Sequence, residues 1–92
     1  MAELERVKII PLVKPLEDTT KKMTYPELEL KAPTLSQAEQ FYEKQAASTS
    51  LAAMRLLIAL VTDTREIVLQ PMDFIDFRKC EEYLLSFLTW KA

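Results

Sequence analysis

The chain has 92 residues, of which 49% are hydrophobic and 28% charged, with a net charge of −2; that suffices for one small domain with a thin core and is too apolar for a disordered tail. It holds no histidine, no glycine and one cysteine, Cys80, which excludes an internal disulfide, a Cys/His zinc set and a glycine-rich phosphate loop. Charge is spread evenly, with six basic and six acidic residues in 1–33 and six basic and eight acidic in 34–92, so the basic face of a nucleic-acid binder is missing. The longest apolar run, Leu56 to Val61, falls well short of the about 18 residues that span a bilayer. "MAELERVK" lacks a signal-peptide apolar region, so the chain reads as intracellular and soluble.

The first third is extended in character. "RVKIIPLV" is rich in β-branched residues, and Pro11 places this strand at an edge or breaks it there. "KPLEDTTKKM" reads as a polar connection. In "TYPELELKAP", Leu28, Leu30 and Ala32 alternate with Glu27, Glu29 and Lys31, the period-two pattern of a strand with one wet face. A loose β-hairpin over 1–33 is expected, with Leu28 and Leu30 in the core. Without glycine its turn must be made by a longer route than a tight two-residue loop.

Helices follow over 34–92. Pro33 ends the strand, and Thr34 with Gln37 has the spacing of a capping box. From there Leu35, Ala38, Phe41 or Tyr42 and Ala46 give helix one a narrow apolar stripe. "STS" at 48–50 interrupts, with Ser48 or Ser50 expected to cap helix two. From Leu51 to Val61 helix two has Arg55 as its one polar residue. A helix apolar on nearly all sides is buried on several sides or meets a partner. Met54, Leu56 and Leu60 are therefore candidate contacts to a client or a second copy. Asp63 and Glu66 have capping spacing for a short turn of helix that Pro71 ends.

The last helix opens with "MDFIDFRKC". Asp73 falls at the N-cap and Asp76 at N3, both favourable at a helix N-terminus. Phe74, Phe77, Cys80, Leu84, Phe87 and Leu88 recur on one face. The expected core is thus Leu28, Leu30, Phe74, Phe77, Leu84 and Phe87, and full burial of Phe77 would make Phe77→Ala cost about 3–5 kcal/mol. Paired carboxylates serve as acid and base only with burial, a pocket and usually a third group. Here the aspartates have a local structural task. Cys80 lies on the apolar stripe with no histidine to activate it. No catalytic residue, metal ligand or cofactor site is expected. Trp90, near the end of the sequence, is a further candidate contact.

"LELKAPT" and "LLIALVTDTREIVLQPMDFIDFRKCEEYLLSFL" together resemble the small tail assembly chaperones of contractile-tailed phages and Mu-like prophages, over roughly residues 5 to 89. The first stretch matches the family's L-x-x-P-T junction between strand and helix. The second matches its apolar helix, then a hydrophobic-Asp-hydrophobic-x-Asp-aromatic motif (Met72, Asp73, Phe74, Asp76, Phe77), then a helix ending in Phe87–Leu88. Where members often carry Gly and Pro after the apolar helix, this chain has Asp63–Thr64–Arg65–Glu66, so that turn is made differently.

The resemblance implies a non-catalytic protein that binds the helical tape-measure protein and keeps it soluble while the tail tube assembles. It implies action in the host cytoplasm and absence from the finished virion. It further implies that programmed frameshifting, for which Phe87–Leu88 is a candidate slip site, adds a domain that recruits tube protein; this chain would be the short form. A homo-oligomer is compatible with such a role. The fold expected is α+β and mostly α, a single domain over 1–92 with an N-terminal hairpin on about three helices. The alternatives are a small helix-turn-helix DNA-binding regulator, which the charge opposes, and a minor structural tail protein, for which more strand is expected.

Overall fold

The computed structural model describes residues 5–91. Two strands, β1 (Val7–Asp18) and β2 (Met23–Lys31), form an antiparallel hairpin, and four helices follow: α1 (Leu35–Ala47), α2 (Ser50–Thr62), α3 (Glu66–Leu69) and α4 (Phe74–Leu88). The architecture is α+β and mostly helical, as its sequence pattern predicts. α2 lies against β2, α3 and α4 lie against β1, and α1 packs on α2. The hairpin contributes Ile10, Leu16, Leu28 and Leu30 to the core; α2 contributes Ala53, Met54, Leu57, Ile58 and Val61; α4 contributes Cys80, Tyr83 and Leu84. Burying a leucine or isoleucine of this kind stabilises the fold by about 1.5–3 kcal/mol.

The hairpin is longer than the sequence suggests. Residues Lys14 to Asp18, expected in the polar connection, continue β1. The register runs Val7 opposite Lys31 to Pro11 opposite Glu27, then resumes with Leu16 opposite Tyr25. Five steps along β1 thus face two along β2, which leaves three extra residues in a wide bulge. Both Pro11 and Pro15 border that interruption, where their missing N–H groups cost the ladder nothing. The strand resumes because Leu16, 1% exposed, and Asp18, 2% exposed, have inward partners.

Asp18 organises the turn. Its Oδ1 accepts from the N–H groups of Thr20 and Lys21, both at 3.1 Å, and from the Arg65 guanidinium at 2.6 Å. Burial alone would raise the Asp18 carboxyl pKa, but those donors outweigh it and hold the group below its ordinary value. Lys22 closes the turn at φ 54°, a left-handed position that costs a non-glycine residue roughly 1–2 kcal/mol. The second such residue is Asp63, also at φ 54°, which ends α2. Glycine usually occupies both kinds of position; here the turns bear that strain.

Helix starts follow the sequence at two of the four places where it offers a cap, Thr34 and Asp73. The Thr34 hydroxyl accepts from the Gln37 N–H at 3.2 Å while Gln37 Oε1 accepts from the Thr34 N–H at 3.0 Å. Gln37 Nε2 also reaches the Leu60 carbonyl at 3.5 Å, tying the first turn of α1 to α2. α2 is capped by Thr49, whose hydroxyl accepts from the Ala52 N–H at 3.0 Å, in place of Ser48 or Ser50. Asp63 caps nothing at α3, which starts after Arg65 without a side-chain cap. Four further corrections concern burial. Phe74, expected in the core, is 53% exposed, and Phe77 and Phe87 pack on the core only in part. Leu35, expected on the apolar stripe of α1, is 79% exposed, because Phe41 alone carries α1 into the core.

Candidate partner-binding surface

The start of α4 shows how its residues divide their work. Asp73 is the N-cap and accepts from the Ile75 N–H at 2.9 Å. Asp76 is no cap. It is fully buried, and its two oxygens accept from the N–H groups of Val13 at 2.8 Å and Lys14 at 3.2 Å, in the bulge of β1. Lys79 completes the arrangement, with its ammonium 3.1 Å from Asp76 Oδ1 and 2.6 Å from the Pro11 carbonyl. Burial pushes the Asp76 pKa up, yet two amides and one ammonium outweigh it and leave the carboxyl below its ordinary value. Asp76 stands in the first turn of α4, as expected, but its hydrogen bonds leave its own helix: the bulge leaves adjacent amides unpaired, and a buried carboxylate satisfies both.

With Asp76 and Cys80 turned inward, Phe74 is carried to the surface. Its ring stacks on Phe77 with centroids 5.5 Å apart and planes 10° from parallel. The Arg78 guanidinium lies 4.7 Å from the Phe74 centroid and pairs with Glu81 at 2.6 Å. The two phenylalanines form one wall of a groove of 310 Å³. Leu51, Arg55 and Ile58 of α2 line it as well, and Leu69, Gln70 and Met72 complete the lining. Arg55 is held at the rim by Glu66 at 3.2 Å, both about two-fifths exposed. The arrangement is a trough of mixed lining, aromatic and aliphatic residues beside Arg55 and Gln70, suited to an amphipathic helix.

The residues singled out in the sequence as contacts do not meet here. Met54 is 2% exposed and belongs to the core, which corrects its assignment as an adaptable surface contact. Leu56 and Leu60 are half-buried on the side of α2 away from Ile58, and α1 rather than α4 adjoins the Leu60 backbone. Trp90 is 55% exposed beyond the end of α4. None of the four lines the trough. The sequence did hold a signal for Phe74. Phe74 and Ile75 are adjacent and apolar on one helix, and consecutive residues point about 100° apart, so both cannot face one core. Ile75 is 63% exposed as well.

Two groups with reactive side chains, Cys80 and Tyr83, are engaged inside the fold. The Cys80 thiol is fully buried, and burial, seconded by the Asp76 charge, pushes its pKa up to about 12. Tyr83 donates to the Glu5 carbonyl at 2.6 Å. Among the described residues no group of three or more Cys, Asp or Glu side chains is placed to hold a metal ion, and no helix is long and apolar enough to cross a membrane. Residues 10–89 match the family described as phage tail assembly chaperone proteins, E, or 41 or 14. No curated protein and no solved structure matches the chain.

Proposed function

The chain belongs to the phage tail assembly chaperone family, and we propose that it acts there by binding the tape-measure protein and keeping it soluble, without catalysis, while the tail tube forms. The observation that supports this is the trough between α2 and α4, where Leu51 at 54% and Phe74 at 53% exposure face a shared 310 Å³ space. An amphipathic client helix would lay aliphatic residues spaced i, i+3/i+4 and i+7 into it. Tight binding at any one copy is not required for such a role. Many copies along a long client give firm retention through repetition.

The reading places the protein in the host cytoplasm and outside the finished virion. It also includes a longer form, made by frameshifting near Phe87–Leu88, that brings in tube protein. Mass spectrometry of infected cells and of purified particles tests both points. The central test is co-expression with a tape-measure fragment. The fragment should remain soluble and co-elute with the wild-type chaperone, and Phe74→Asp with Leu51→Asp should abolish the complex while the chaperone stays folded. A fragment that stays insoluble with wild type, or a complex indifferent to the double variant, refutes the proposal for this surface.

A further inference from the structure

The hairpin has two outer edges, and they are treated differently. On β1, α4 seals the edge. Tyr83 donates to the Glu5 carbonyl, Lys79 donates to the Pro11 carbonyl, and Asp76 accepts from Val13 and Lys14. On β2 nothing comparable occurs. Ala32 N–H donates to the Arg6 carbonyl at 2.8 Å, so Arg6 and Ala32 are a hydrogen-bonded pair. Counting in twos along the register, Lys8–Leu30 and Ile10–Leu28 are such pairs as well. Glu27, Glu29 and Lys31 therefore turn their N–H and C=O groups to the outer edge. Among the described residues no hydrogen bond joins those groups to another element, and β2 packs extensively only on β1 and, across its face, on α2.

We propose that the outer edge of β2 is a docking site for a single extended strand of another protein, with basic residues opposite Glu27 and Glu29 and an acidic residue opposite Lys31. Opposite charges directly across an antiparallel pair attract, and like charges repel, so the Glu-x-Glu-x-Lys row selects its complement. A two-stranded hairpin is marginal by itself, and a third strand supplies the missing ladder. The residues between the charged ones should be small. Leu28 at 2% and Leu30 at 0% exposure are already covered on the core side, which leaves little apolar surface to share.

A second copy of this chain matches less well: an antiparallel pairing of two β2 strands centred on Glu29 sets Glu27 against Lys31 twice but Glu29 against Glu29. The charged edge alone would also serve to repel unwanted strands, and the experiment separates that role from docking. The proposal stands independently of the tape-measure reading and uses a different surface.

The probe is a synthetic peptide with glutamate, lysine and lysine at every second position and alanine or valine between, titrated into ¹⁵N-labelled protein. Saturable shifts confined to the Glu27–Lys31 amides are expected, with binding weakened about tenfold when the peptide charges are reversed. Glu29→Pro removes an outward N–H while sparing the hairpin ladder, at a position already extended. It should abolish binding and leave the melting temperature within a few degrees. Should it unfold the chain, the pair Glu27→Lys and Glu29→Lys should instead transfer preference to the charge-reversed peptide. Four results would overturn the proposal: no saturation by about 1 mM peptide, shifts elsewhere, binding indifferent to these variants, or a wild-type dimer that Glu29→Pro dissociates.

Discussion

Replacing Asp76 tests the central tertiary arrangement. The carboxylate binds two amides of the bulge at 2.8 and 3.2 Å and one ammonium at 3.1 Å. Hydrogen bonds to a charged group are worth about 1.5–3 kcal/mol each. Val13 and Lys14 are exposed, so their amides regain water when the carboxylate is gone, and the cost falls towards the lower end. Asp76→Ala should therefore lose about 2–4 kcal/mol, a large part of a stability on the order of 5–15 kcal/mol. In a chain of this size each kcal/mol shifts the midpoint about 4–8 °C. Asp76→Asn keeps the shape, removes the charge and should lose less. The sign with pH is fixed by the direction of the pKa shift. The folded-state pKa lies below the ordinary 3.8, so the stabilisation is present in full above that value and is lost as pH falls through the folded one. Urea denaturation followed by circular dichroism from pH 7 to pH 3 should show wild type and Asp76→Asn converging only in acid. Equal midpoints at pH 7, or a gap that does not narrow on acidification, would refute the arrangement.

The remaining predictions separate the faces of the same helix and the strained turns. Phe77→Ala should cost about 1.5–3 kcal/mol in urea denaturation, less than full burial would give, because Phe77 is only partly covered. Phe74→Ala should cost under about 1 kcal/mol, the value of an exposed stack and a cation–π contact, yet weaken client capture in the co-elution assay. Asp63→Gly should raise the thermal midpoint, gaining about 1 kcal/mol by relieving the left-handed conformation. Cys80 should resist a thiol reagent in the folded protein and react at a rate that follows global unfolding by urea.

Local rules read from neighbouring residues carried well into three dimensions. The Thr34–Gln37 capping pair, the alternation of Leu28 and Leu30, and the periodicity of Cys80 and Leu84 each depend on contacts within one element or one face. What escaped depends on residues far apart in sequence. Nothing near Asp76 announces that its partners are Val13 and Lys14, 63 and 62 positions away. The length of β1 escaped for the same reason: Pro11 and Pro15 are local breakers, and only the distant carboxylate and Arg65 make their interruption tolerable. Phe74 was misplaced because its i, i+3 spacing with Phe77 satisfies the periodic pattern. The choice between the flanks of that face belongs to Asp76, whose inward turn rotates Phe74 outward. Met54 was misplaced because an apolar helix reveals that it is covered without revealing which side is left open.

The division of labour along α4 shows how a motif of alternating acids and aromatics both anchors a helix and presents a surface. One flank, Asp76, Lys79 and Tyr83, occupies the polar edge of β1. A second, Cys80 and Leu84, fills the core. A third, Phe74, is presented to the trough, with Arg78 against its ring. An aromatic at 53% exposure on a free helix would be solvated and mobile; here its helix is fixed to the sheet by charge-assisted bonds and its ring contacts both Phe77 and a guanidinium. Such preorganisation lowers the entropy lost when a client docks, which matters most where each contact is small and must be repeated along a long partner. It follows that Lys79→Ala, which loosens the sheet attachment without touching the trough, should weaken client capture as well as stability. The two losses should scale together across substitutions at position 79. If capture is unchanged while stability falls, the rigidity of α4 contributes nothing to binding, and the trough works by apolar area alone.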